Sequence, residues 1–343
     1  MTDRPTMVDV ARAAGVGVAT VDRVLNGRRK VRDENARRVF EAAMAIGYHA
    51  APVIRYRLAK DAPAATFGFI FPKERQSFYQ ELSQELASAV ERCPGIRGQI
   101  IIRHASSQSP EEYADLLRTM AGKADVVAAS AVEARDVTAA VASLSDSRIP
   151  TFAFLNDFAI EYRRCFVGLD NIKVGRTAGW MLAGIARAPG TIAILIGGHR
   201  WQAHQQRELG LRSYFRDCAP EFHLRDAIPN LETRQLTYEM TVDLLNRFPD
   251  LRGIYIAGGG MEGAIAALRE AREPGEVPLV VHPLTAESRA GLIDRYVTMV
   301  ISTPVRTLCD RLVQLMKNAT LGTSQDIADK HFLQPDLFLP ESF

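Results

Sequence analysis

Chemistry in this chain is concentrated in a few groups of side chains. Val18, Ala19, Asp22, Arg23 and Asn26, with Thr20 beside them, share the outward side of one short helical stretch in MVDVARAAGVGVATVDRVLNG. They are small, polar or basic, as a helix needs if it is to lie against base edges and phosphates in a major groove. Phe78 and Tyr79 follow a first apolar run and could stack on the apolar face of a sugar ring, although aromatics at a helix start also serve packing. HRWQAH sets His199 and His204 five apart, which misses the one-face i, i+4 arrangement of helical metal ligands. Gly258-Gly259-Gly260 could mimic a phosphate loop, but no Gly-Lys-Ser follows and no Mg²⁺ ligand is evident, so nucleotide hydrolysis is rejected.

The elements that must carry these groups are legible from periodicity. Met7, Val10, Ala11 and Ala14 fall at i, i+3, i+4 and i+7, one apolar stripe on a short helix that Gly15 stops. Thr6 can cap it, with Asp9 as the capping-box acid. Val21, Val24 and Leu25 restart the period within a few residues, so two helices cross steeply over a shared core. Asn26-Gly27 ends the second helix and the basic loop Arg28–Arg32 follows. Asp33 can cap a third, with Ala36, Val39, Phe40, Ala43 and Ile46 inward. The pattern is a helix-turn-helix with a supporting helix.

From Thr66 the period changes. TFGFIF, GQIIIR, DVVAAS and PTFAFL are short apolar runs, the first three followed by helical patterns at Phe78–Glu91, Pro110–Met120 and Glu133–Leu144. TIAILI, HLRDAI, GIYIAG and PLVVHP repeat the plan, with helices near 202–217, 231–247, 260–272 and 285–294. Strands alternating with helices imply parallel sheets and right-handed crossovers. The expected fold class is therefore α/β: a three-helix headpiece plus two lobes with a ligand cleft at the carboxyl ends of their strands. The break between lobes is expected around Asn156–Asp170, with VTMVIST and the helix Arg306–Asn318 returning to the first lobe. The expected domains are 1–50 (helix-turn-helix), 51–63 (hinge) and 64–343 (effector and dimerisation). Within the last, lobe 1 takes 64–157 plus 296–320, and lobe 2 takes 165–294 plus 325–343.

At 343 residues the chain exceeds one compact core, and 47% hydrophobic with 24% charged residues is ordinary for a globular protein. Its formal net charge of +2 hides an asymmetry: residues 1–60 hold 12 Lys and Arg against 6 Asp and Glu, leaving the rest net negative. Only the front end is built to approach a polyanion. Cys93, Cys165, Cys218 and Cys309 form no CxxC pair, so neither a disulfide framework nor a zinc cluster is suggested. MTDRPTMVDV lacks the apolar core of a signal peptide, and no run of about 18 apolar residues appears, so a cytoplasmic location is expected.

DVARAAGVGVATVDRVLNG followed by VRDENARRVFEAAMAIGY resembles the headpiece of the lactose-repressor and galactose-repressor family of bacterial transcription regulators. The resemblance is close over about the first fifty residues and looser beyond, where the chain looks like a periplasmic-sugar-binding-protein fold. It implies base contacts from Val18 and Ala19, phosphate contacts from Thr6 and Thr20, and a guanine read by Arg23, whose guanidinium can donate two bonds to one guanine edge. Asn26 and Arg32 join this DNA-binding set. Gly17 and Asp22 stand where the family usually has serines. Asp22 either orients Arg23, accepts from a cytosine amino group, or restricts which operators are tolerated.

In the family, the segment matching Tyr48–Pro63 is a hinge helix that folds on DNA and wedges a leucine into the minor groove. Pro52 suits a helix start, and Arg55, Arg57 and Lys60 suit phosphates. The wedge position falls on Arg57, with Leu58 one residue further.

For the effector, Arg207 in RELGLR sits where the family usually has an arginine that holds ligand hydroxyls or a carboxylate, and Asp170-Asn171 matches a common pair before the crossing helix. Asn171 could instead only cap that helix. The second lobe departs further: Gly258–Glu262 replaces a usual Asn-Asp pair, and His282-Pro283-Leu284-Thr285 stands where an aspartate often follows a strand. Glu262 and His282 become candidate ligand contacts, against the reading of His282 as a satisfied structural histidine. The resemblance implies a DNA-binding repressor without cofactor or metal. It binds a near-palindromic duplex operator as a homodimer or possible tetramer, controlled by a small polar effector, a sugar or polyol. The rivals are a transporter's solute-binding protein, which would need a signal peptide, and an enzyme on the same scaffold, which would need a catalytic constellation.

Overall fold

The computed structural model describes residues 4–26, 31, 33–54, 62–323 and 328–343. Three helices come first: α1 (Met7–Ala14), α2 (Val18–Asn26) and α3 (Asp33–Ala45). Thr6 opens α1 with a capping box, its N–H donating to the Asp9 carboxylate at 2.9 Å while Asp9 N–H donates back to Thr6 Oγ1 at 3.4 Å. Gly15 closes α1 in the left-handed region (φ 61°), where glycine carries no Cβ penalty. Val10, Ala11, Ala14, Val21, Val24, Leu25, Ala36, Val39 and Ala43 form the shared core, with Phe40 and Ile46 packed at its edge. Met7 is exposed.

The hinge expectation is corrected at its front end. Residues 51–54 form a helical turn, and Ala51 and Ile54 are buried in the headpiece core together with Tyr48. An apolar pair at i, i+3 is one short face, and the three-helix core has room to bury it. Arg55, Arg57 and Leu58 lie outside the described residues.

Behind the headpiece stand two α/β lobes. The first sheet holds β1 (Ala64–Pro72), β2 (Arg97–Ala105), β3 (Val126–Ala129), β4 (Thr151–Phe154), β5 (Phe166–Leu169) and β12 (Lys330–Leu333), in the order β12-β5-β4-β3-β1-β2 and parallel throughout. The second is built on β6 (Thr191–Ile196), β7 (His223–Leu224), β8 (Ile228–Pro229), β9 (Leu251–Ile256), β10 (Leu279–Val281), β11 (Met299–Ser302) and β13 (Asp336–Phe338), with only β13 antiparallel. Each sheet is buried on both faces. Phe67, Phe69 and Phe71 point into one cluster and Ile70 into the opposite one, as a strand's period of two requires.

The lobe boundaries differ from expectation in three places. Phe166–Leu169 belongs to the first sheet, VTMVIST supplies β11 of the second, and Lys330–Leu333 returns to the first. A four-residue apolar run fits a buried slot in either sheet, so pattern alone cannot allot it. The chain therefore crosses between lobes near Asp170, Thr303 and Gln334. The HLRDAI run is split into two short strands beside β6.

Candidate functional site: a helix face and an interlobe cleft

On α2, Val18, Ala19, Arg23 and Asn26 are exposed and Thr20 and Asp22 half-buried, while Val21, Val24 and Leu25 hold the opposite side in the core. Asn26 Nδ2 donates to Asp22 Oδ1 at 2.6 Å, so Asp22 is engaged along its own helix, one turn on. Arg23 makes no ion pair among the described residues and presents its guanidinium outward. Arg32 lies outside the described residues.

The second site is a cavity of about 110 Å³ between the lobes. At roughly 10–15 Å³ for each water it has room for a compact polar molecule and not for an extended chain. The carboxyl ends of the strands deliver its walls. From the first lobe come Gln76, Phe78 and Tyr79 after β1, Ser130 after β3, and Leu155 and Asn156 after β4. The second lobe supplies Trp201, Ala203, His204 and Arg207, then Glu232, Gly258, Gly259, His282 and Pro283.

Arg207 is held by two bonds, Nε to Asn171 Oδ1 at 2.8 Å and Nη1 to the Ala257 carbonyl at 2.7 Å, which leaves the Nη2 end of the fork uncommitted. Two glycines make this possible. A Cβ on Gly175 would lie 2.0 Å from the Arg207 carbonyl oxygen, and one on Gly210 2.1 Å from that of Ile172. The helices Asn171–Ile185 and Gln202–Cys218 therefore touch backbone to backbone, which brings Asn171 within reach of the guanidinium. Burial holds the Arg207 pKa below its ordinary value.

Glu232 is the cleft's carboxylate. Lys73 Nζ reaches across from the first lobe to its Oε2 at 2.7 Å, and Gly259 N–H donates to Oε1 at 3.1 Å. Burial pushes this carboxyl up, but His204, Lys73 and the Gly259 N–H together bring it below the ordinary range, so it is ionised. His204 accepts the Gly197 N–H at Nδ1, so its neutral tautomer carries the proton on Nε2, 3.7 Å from Glu232 Oε1. Burial lowers its pKa to about 4, against the pull of Glu232. Cβ atoms on Gly197 or Gly258 would come within 2.9 Å of the His204 ring. The glycine run after β9 is thus backbone that these side chains press against, not a phosphate cradle.

His282 lines the cavity, yet its ring is already engaged. Nε2 meets Tyr255 Oη at 2.9 Å and the Ile301 backbone lies against the ring, while burial drives its pKa well down. Tyr79 is pushed well above its ordinary pKa by burial and then by Glu232, so it stays a phenol. Asn156 staples the lobes: Nδ2 donates to the Ala131 carbonyl at 2.5 Å and Oδ1 accepts the Ala203 N–H at 2.8 Å. Trp201 lies edge-on to Tyr113 with centroids 6.4 Å apart, and its Nε1–H is buried without a protein partner among the described residues.

Of the expected effector set, Phe78, Tyr79, Arg207 and His282 line the cavity, and Asn171 stands behind Arg207. Asp170 and Glu262 are corrected. Asp170 caps the crossing helix, accepting the Lys173 N–H at 3.2 Å. Glu262 lies past the left-handed Gly260, in the first turn of Met261–Ala271, where the chain has already turned from the cleft. Sequence reasoning missed Lys73, Asn156, Trp201, His204 and Glu232. His204 was visible in HRWQAH only as a failed metal ligand, and Glu232 carried no local signal. No group of three or more His, Cys, Asp or Glu able to hold a metal occurs among the described residues, and no helix there is long and apolar enough to cross a membrane.

Two parallel-sheet lobes closing on a polar cavity, behind a helix-turn-helix whose second helix presents an exposed polar face, define a class: a two-lobed ligand-binding fold carrying a helix-turn-helix headpiece. Residues 67–324 match the periplasmic binding protein domain, and residues 6–51 match bacterial regulatory proteins of the lacI family. The chain therefore belongs to the periplasmic binding protein domain family over most of its length and carries a lacI-family helix-turn-helix domain in front of it. Catabolite control protein A of Priestia megaterium is 35% identical over 118 residues, 34% of each chain, so the match spans about a third of that relative's length. The regulator GalS of Salmonella typhimurium is 24% identical across 97% of this chain and 94% of its own. Among solved structures, a periplasmic solute binding protein from Actinobacillus succinogenes with bound D-allose shares the fold at a TM-score of 0.73, with 17% identity over 81% of this chain and 98% of its own.

Proposed function

We propose that the protein is a sequence-specific DNA-binding transcription regulator, a repressor, whose hold on its operator is set by a small polar molecule of the sugar or polyol class in the interlobe cleft. It works in the cytoplasm as a homodimer, because one short reading helix makes too few contacts and two copies on a two-fold axis match two half-sites. What carries the reading is the pairing in one chain of an exposed, polar α2 face that presents Arg23 with a cavity whose walls come from both lobes. GalS and the sucrose operon repressor of Streptococcus mutans bear names of the same kind.

The mechanism is a shift between lobe arrangements. Lys73–Glu232 and Asn156–Ala203 bridge the lobes, so a molecule filling the cavity favours the closed arrangement only by binding it better than the open one. Closure moves the first lobes of a dimer against each other and so alters the spacing of the two headpieces. The Thr6, Val18, Ala19, Thr20, Arg23 and Asn26 side chains then meet DNA as proposed from the resemblance, with Arg32 in the loop before α3 and Arg55, Arg57 and Leu58 in the hinge continuing the contact.

Selection of duplexes from a random pool by the full chain, at moderate salt, tests the reading. A near-palindromic motif whose retention changes with a cleft ligand is expected. A pool that stays random with and without sugars and polyols refutes it.

A further inference from the structure

The proposal concerns the charge of the cleft ligand and rests on the sensing role proposed above. Arg207 and Glu232 are the charged side chains among the cavity's lining residues. Glu232 is already matched by Lys73 at 2.7 Å, in a pair whose side chains are only 22% and 11% exposed. Its Oε1 also faces the Gly259 N–H and the His204 Nε2. His204 and His282 are neutral near pH 7, since burial depresses both. Counting Lys73, Glu232 and Arg207 together leaves one positive charge in excess.

That excess sits on Arg207. Its protein partners are an amide oxygen and a carbonyl, both neutral, and its Nη2 end is uncommitted. A half-buried guanidinium whose protein partners are all neutral gains from an anion, and its planar fork matches a carboxylate with two parallel bonds. Polar groups that can meet hydroxyls line the same cavity: Gln76, Ser130 and the Glu232 carboxylate. Phe78 and Tyr79 supply an apolar wall.

We infer that the effector is a polyhydroxylated monoanion, a sugar acid whose single carboxylate closes the Arg207 fork while its hydroxyls meet Glu232, Gln76 and Ser130. A neutral sugar leaves the guanidinium uncompensated. A dianion overshoots the one excess charge and repels Glu232.

The experiment compares matched pairs on the full-length chain at constant ionic strength: hexonates and hexuronates against the hexoses and hexitols of the same skeleton. Melting temperature is read first and titration calorimetry second. At least one acid should raise the melting temperature by about 4 °C when well above its Kd, and bind at least tenfold tighter than its neutral counterpart. Neutral compounds that stabilise the chain while no acid does overturn the charge assignment and leave the sensing role intact; silence from both classes overturns both.

Lys73→Met refines the result. With Lys73 gone, Glu232 balances Arg207 and the acid-over-neutral ratio should collapse about tenfold, whereas a purely structural lysine would weaken both ligands alike. An unchanged ratio overturns the charge balance.

Discussion

The α2 face and the interlobe cleft solve opposite problems. The α2 face comes from nine consecutive residues, is exposed, and owes its shape to one capped pair of helices and a small core. Cleft residues come from at least seven separate stretches between Gln76 and Thr303, and the decisive groups are buried, paired and pKa-shifted. A surface that must meet a large polyanion works through exposed cations with water between them and their neighbours. A pocket that must distinguish one small molecule works by withdrawing its charges from water, so that each unmatched group has a large energetic consequence.

The strongest break of this contrast is Arg207→Gln. Removing a half-buried, hydrogen-bonded cation from the ligand's wall should cost effector binding about 2–5 kcal/mol, at least thirtyfold in Kd, with operator affinity preserved. Calorimetry with the effector and gel-shift titration with DNA read the two halves separately; a normal induction curve would count against the cleft assignment.

Ile54→Ala is the converse. Ile54 is fully buried in the headpiece core, so truncation should destabilise that unit by about 2–5 kcal/mol and weaken DNA binding, leaving ligand affinity unchanged. Urea unfolding followed by a headpiece-specific probe checks this, and an unaltered midpoint would restore 51–54 to the linker.

Gly175→Ala sharpens the comparison inside the sensing half. The new methyl would press on the Arg207 backbone oxygen, so a loss of about 1–3 kcal/mol in stability should come with weaker effector binding. Stability lost without any change in ligand Kd would separate the helix contact from Arg207 positioning.

Arg23→Ala should relax preference at one base by about 1–3 kcal/mol while ligand affinity stays put. Duplex selection with the variant reads this directly, and an unchanged motif would remove Arg23 from the reading set.

The smallest expected effect is one of pH. Effector Kd should vary less than about twofold between pH 6.5 and 8, because His204 titrates at about 4, His282 well below its ordinary value, and Glu232 lower than usual. Stability behaves differently below that window. The unfolded chain takes up a proton on His204 near its ordinary value while the folded chain does not until about pH 4, so stability falls as pH drops between them. The depressed Glu232 contributes stability above the ordinary carboxylate value and loses it as pH falls through its folded one. Equilibrium denaturation across that range measures both.

Periodicity and spacing were enough for the headpiece and for the alternation of strands and helices, since each depends on neighbours a few residues away, whereas Arg207 was singled out only by the resemblance to a known family. The Thr6 capping box is the clearest case: its two bonds join residues three apart. What lay beyond reach was long-range. The sheet that takes Phe166–Leu169 is chosen by pairing with β4 and with Lys330–Leu333, more than 150 residues on. The cleft's charge balance depends on Lys73 meeting Glu232 across 159 residues of sequence. Local order in a chain reports which elements form, because their hydrogen bonds and apolar faces repeat within a turn or a strand. Which buried charges face one another is decided only when the lobes close, because desolvation and ion pairing depend on distance in space and leave no repeat in sequence.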